Sequence, residues 1–111
     1  MVIVVISVRF NKIMSVLSQY ENYHLIKRKG PQLFYYVDGD TNSLISKTKK
    51  LIVNELGVAT VFEVYGIYNG MIDFTSYLSN EKKNESKYYN QIKKDISNEE
   101  LENWKKENLN K

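Results

Sequence analysis

Between Tyr20 and Asp38 the chain reads YENYHLIKRKGPQLFYYVD, and this stretch limits the fold more than any other. It holds the single histidine, His24, the single proline, Pro31, the basic run Lys27-Arg28-Lys29 and a dense set of aromatics. Tyr23 to Arg28 has extended character, and so does Leu33 to Val37. Lys29-Gly30-Pro31-Gln32 lies between them. Glycine tolerates positive φ there and proline cannot donate to a ladder, so the turn belongs at that point. The segment therefore predicts two strands joined by a basic turn, and the rest of the chain must supply what packs against them.

Upstream, Val2 to Val8 is β-branched except for Ser7, which favours a strand. Val2, Val4, Ile6 and Val8 alternate with Ile3, Val5 and Ser7, so both faces are mostly apolar, as in a central strand covered on two sides. Phe10, Ile13, Leu17 and Tyr20 follow helical spacing with Met14 and Val16 beside them, which predicts an amphipathic helix over 10–19. Asp40 or Thr41 can cap a second helix whose apolar face carries Leu44, Ile45, Thr48, Leu51 and Ile52, and Gly57 ends it. Val58 to Tyr65 reads as the next strand. Asn69-Gly70 is a two-residue hairpin signal, which pairs 67–68 with 71–74.

The order is β-α-β-β-α-β. It predicts an α+β fold of ferredoxin-like type: a four-stranded antiparallel sheet with the first and third strands central, both helices on one face and a further C-terminal hairpin strand. The composition changes near Ser79. The last 32 residues hold 8 basic and 7 acidic side chains, too charged to form a core alone. The boundary is therefore set at 1–78 for the compact domain and 79–111 for a charged, partly helical extension. Ser97-Asn98-Glu99-Glu100 is a capping-box pattern that predicts a short helix with Leu101 and Trp104 on one side, and a weaker helix is expected over 85–96.

Leu17, Tyr20, Asn22, His24, Ile26, Tyr36 and Asp38, with Lys27 to Lys29 between them, resemble the YlbG-like family, small cytoplasmic proteins of Gram-positive bacteria with no established activity. The preceding strand and helix are similar in pattern, and Val58 to Tyr65 in character. The Gly30-Pro31 turn and the charged tail depart from the family pattern. The resemblance implies an αβ fold and a cytosolic setting, and it carries over no catalytic residue.

Composition narrows the chemistry. With no cysteine there is no disulfide framework, thiolate nucleophile or thiolate metal site, which fits a reducing cytoplasm. The apolar start is shorter than the roughly 20 residues needed to span a bilayer and lacks a basic residue before it, so no leader and no membrane contact are expected. A net charge of +3 is mild for a nucleic-acid module.

His24 has the titration range of an acid–base group, but no serine or paired carboxylate lies near it in sequence, and a structural or surface role is favoured. Asp38 and Asp40 flank Gly39 between a strand and a helix. They suit a turn and cap better than Mg²⁺ binding, so no metal or cofactor is assigned. Lys47, Lys49 and Lys50 read as the solvated side of the second helix.

Leu33, Tyr35 and Val37 alternate with Phe34 and Tyr36, so the sheet has a second apolar face that needs cover. The charged tail helix with Trp104, a second subunit or a ligand would serve, with a homodimer placed first. The expected contact residues are His24, Lys27, Arg28, Lys29, Phe34 and Tyr36. The resulting expectation is a non-enzymatic adaptor or regulatory protein acting by protein binding through a sheet face; a phage or mobile-element inhibitor of a host factor fits equally. The alternative is an RNA- or single-stranded-DNA-binding module, with the basic tip on phosphates and sheet aromatics on bases.

Overall fold

In a computed structural model, residues 2–39, 43–68, 71–73 and 94–109 are described. The chain divides into two compact units, Met1–Tyr77 and Leu78–Lys111.

The first unit is an α+β layer. Its elements are β1 (Val2–Ile6), α1 (Phe10–Leu17), β2 (Tyr23–Lys29), β3 (Gln32–Val37), α2 (Ser43–Leu56), β4 (Glu63–Tyr68) and β5 (Met71–Asp73). The strands form one sheet in the order β2-β3-β1-β4-β5, antiparallel at every pairing. The two most apolar strands, β1 and β3, are thus inside.

Strand alternation divides the sheet into two faces. Ile3 opposes Tyr35 and Gly66, and Val5 opposes Leu33 and Val64. Ile3, Val5, Leu33, Tyr35, Val37 and Val64 join Ile13 and Leu17 of α1 and Ile45 and Ile52 of α2 in one core, so both helices cover this face. On the opposite face Val4 lies between Phe34 and Tyr65, and Val2 lies between Tyr36 and Ile67. Val4, Phe34 and Tyr65 are each 0% exposed, so neither face leaves its central side chains in water.

Turn chemistry follows the sequence. Gly30 takes φ +58° as the first of the two residues linking β2 to β3, which β-branched residues would resist. Gly57, at φ +97°, closes α2 with its N–H on the Val53 carbonyl at 2.8 Å. The β4–β5 hairpin pairs Ile67 with Ile72 and Tyr68 with Met71, and the expected Asn69-Gly70 turn lies outside the described residues. The Asp40 or Thr41 cap and most of the weaker 85–96 helix lie outside the described residues.

Two expectations are corrected. β4 begins at Glu63, and the β-branched run from Val58 to Val61 stays outside the sheet. The reason is the neighbour. β1 ends at Ile6, which pairs with Glu63, so the segment before Glu63 has no strand to bond to. β1 itself was expected to reach Val8. Instead the Ser7 hydroxyl donates to the Val61 carbonyl at 2.8 Å and the Ser7 N–H to the Pro31 carbonyl at 3.1 Å, which ends the ladder.

In the second unit α3 (Asn98–Asn108) starts at Ser97, whose hydroxyl accepts the Glu100 N–H at 3.1 Å. Glu99 and Glu100 lie in its first turn and Lys105 and Lys106 in its last, matching the helix dipole at both ends.

Candidate functional site

The candidate site lies along the β2 edge of the sheet, and a β-bulge decides its composition. His24 opposes Tyr36 and Leu25 opposes Tyr35, but Lys27, not Ile26, is the next residue in register, opposite Phe34. One residue is therefore extra between Leu25 and Lys27. Strict alternation would have set His24, Ile26 and Arg28 on one face and Leu25, Lys27 and Lys29 on the other. The extra residue reverses the second half of the strand. Lys27 and Lys29 join His24 on the face away from the helices, and Arg28 turns to the helix face.

The basic tip expected to act as one unit is thus divided. On the helix face the Arg28 guanidinium lies 4.7 Å from the Phe10 ring centroid and donates to the Gly30 carbonyl at 3.2 Å. On the opposite face the Lys27 ammonium lies 5.4 Å from the centroid of Phe34, an attractive placement over the ring quadrupole. Lys29 opposes Gln32 in the next row.

His24 is half-buried on this face. Its Nε2 lies 3.4 Å from the Asp38 carboxylate, and its ring centroid lies 6.3 Å from that of Tyr36. Asp38 is exposed, so this contact is open to water. Of the six residues the sequence singles out, five share this face: His24, Lys27, Lys29, Phe34 and Tyr36. Phe34 is fully buried and serves as the floor beneath Lys27 rather than as a ring offered to a base or partner. Tyr36 and His24 keep part of their surface accessible.

Asp40 lies outside the described residues, and Asp38 faces His24. Among the described residues no three of His, Cys, Asp and Glu come together as a metal site. Among them, too, no helix is long and apolar enough to cross a membrane.

Sequence reasoning missed two features. The first is a polar thread inside the core: Thr48 donates to the Leu44 carbonyl at 2.7 Å, so the Tyr23 hydroxyl at 2.7 Å must donate to Thr48. The helical position of Thr48 marked it as core but gave no sign of its bond to β2. The second is the Tyr35 hydroxyl, buried with no hydrogen-bond partner among the described residues; burial pushes it up to about 12. Alternation along β3 placed this ring in the core, but nothing local predicts an unanswered hydroxyl.

Comparison of the chain with family models, with curated proteins and with solved structures gives no match.

Proposed function

We propose that this chain is a small, non-enzymatic protein-binding module that acts as an adaptor or regulator in the cytoplasm. Its contact surface is the rim of the β2 edge formed by His24, Lys27, Lys29 and Tyr36. The observation that carries the reading is the bulge between Leu25 and Lys27, which brings the ammonium groups of Lys27 and Lys29 onto the face of the β2–β3 pair that already holds His24 and Tyr36. Bulges recur where an edge must re-aim side chains. Tyrosine with flanking cations is the composition of a contact surface for an acidic partner. A single histidine and no cysteine give catalysis little to work with.

The finer fold assignment, ferredoxin-like, belongs to the same proposal. It is supported by the β2-β3-β1-β4 order, by antiparallel pairing throughout and by one core shared by α1 and α2. Membership of the YlbG-like family is proposed on the residues named above. A homodimer, or a phage or mobile-element inhibitor of a host factor, would use the same rim.

The nucleic-acid reading is weaker. Lys27 and Lys29 share a face with Tyr36 and His24, but the Phe34 ring is not open to stacking. The discriminating experiment uses the wild-type chain and the K27E/K29E double variant. A co-purified host protein that binds the wild type again when reconstituted, and binds the variant at least about tenfold more weakly, supports the proposal. Salt-dependent binding of mixed oligonucleotides by the wild type, with no such protein recovered, would replace it with the nucleic-acid reading. Light scattering far above the monomer mass of 13.1 kDa would make a second copy the partner.

A further inference from the structure

The end of the sheet that carries the β1–α1 and α2–β4 loops exposes three large apolar side chains. Val8 is 86% exposed, Val58 89% and Val61 77%. They belong to one patch. Ser7, the residue before Val8, donates its hydroxyl to the Val61 carbonyl at 2.8 Å, and this bond holds the two loops side by side. Val58 lies in the turn that the Thr60 N–H closes on the Gly57 carbonyl, directly before Val61. Exposure this high means that the side chains project into solvent and do not line a groove.

Among the described residues, the charges at this end are mostly of one sign. Arg9, Lys12, Arg28 and Lys29 are all exposed at this end, against Glu55, also exposed, and Glu63, whose carboxylate accepts the Tyr65 hydroxyl at 3.2 Å. Arg9 is the N-cap of α1, makes no side-chain cap bond, and no acid lies in the first turn, so the positive end of the helix dipole adds to the field. A second copy of this chain would bring like charges together, which argues against self-association here. Projecting apolar tips ringed by cations match a surface that is anionic outside and apolar a few ångströms deeper.

We infer that this loop end docks reversibly on an anionic lipid bilayer, with Val8, Val58 and Val61 entering the interface and Arg9 and Lys12 on the headgroups. Such contact needs no spanning helix, because interfacial binding combines shallow apolar burial with attraction to anionic lipid. It departs from the expectation of no membrane contact, which rested on the apolar start. It rests on Val8, Val58, Val61, Arg9 and Lys12 and shares only Lys29 with the protein-binding rim, and the test leaves Lys27 and Lys29 untouched.

The test is co-sedimentation of the full chain with vesicles of phosphatidylcholine mixed with phosphatidylglycerol, and with phosphatidylcholine alone. The wild type should sediment with the anionic vesicles only. V8S/V61S and R9E/K12E should each lower the bound fraction at least about tenfold, as should high salt. All four positions are exposed, and unchanged melting would show that the variants fold. Absence of wild-type binding would overturn the inference and leave the patch to a protein with an acid-rimmed cleft. Loss with R9E/K12E but not with the charge-neutral V8S/V61S would overturn it too, as plain charge adsorption.

Discussion

The Tyr23 hydroxyl donates to Thr48 at 2.7 Å, and through this bond the edge strand β2 is tied to α2 across the core. Both residues are buried, and the Thr48 hydroxyl in turn donates to the Leu44 carbonyl one turn back in the helix. The bond therefore links an element held in the sheet only by β3 to the helix layer.

Removing either end should have unequal effects. Tyr23→Phe leaves Thr48 bonded to Leu44 and should cost roughly 0.5–1.5 kcal/mol, the usual net value of such a bond. Thr48→Val strands the Tyr23 hydroxyl in the core and should cost about 1–3 kcal/mol. Urea denaturation with an unchanged slope would measure both. A Thr48→Val cost no larger than that of Tyr23→Phe would refute the donor order.

Tyr35→Phe should behave in the opposite way. Its hydroxyl is buried without a partner among the described residues, so its removal takes away a desolvated group and leaves the ring in place. Edge-to-face packing on Tyr23, with ring centroids 6.1 Å apart, is retained. The expected result is a melting temperature equal to or above that of the wild type, in contrast to Tyr23→Phe.

Alkaline pH should weaken the fold through these same two rings. Burial raises the Tyr23 hydroxyl above its ordinary value and pushes Tyr35 up to about 12, against 10.0 for an exposed tyrosine. Below pH 10.0 both are protonated whether the chain is folded or not. Between that value and about 12 the unfolded chain gives up the Tyr35 proton while the folded chain retains it. The unfolded state is thereby favoured, and stability falls as pH rises through the window. Urea midpoints across this range should decline, and less steeply in Tyr35→Phe.

Gly57→Ala tests backbone strain alone. A Cβ at this position would meet nothing within 4 Å, yet φ is +97°. The substitution should cost about 1–2 kcal/mol from conformation without any clash. No measurable loss in thermal unfolding would mean that the α2 cap does not require this geometry.

Much of this architecture is legible in the chain itself. The alternation of Leu33, Tyr35 and Val37 against Phe34 and Tyr36 divided core from opposite face correctly, because strand side chains have a period of two. Gly30-Pro31 and Gly57 marked turns because only certain residues fit the backbone there. Ser97 announced α3 through a local bond to Glu100. Each of these is decided within a few residues of chain.

The tertiary structure decided what depends on a neighbour. Val58 to Val61 has strand character, yet it stays unpaired because β1 stops at Ile6. Lys27 and Lys29 share a face with His24, and Arg28 does not, because β2 fits β3 only with one extra residue after Leu25. Propensity and period are properties of one strand. Register and bulge belong to a pair of strands, and they determined which side chains this protein gathers along its edge.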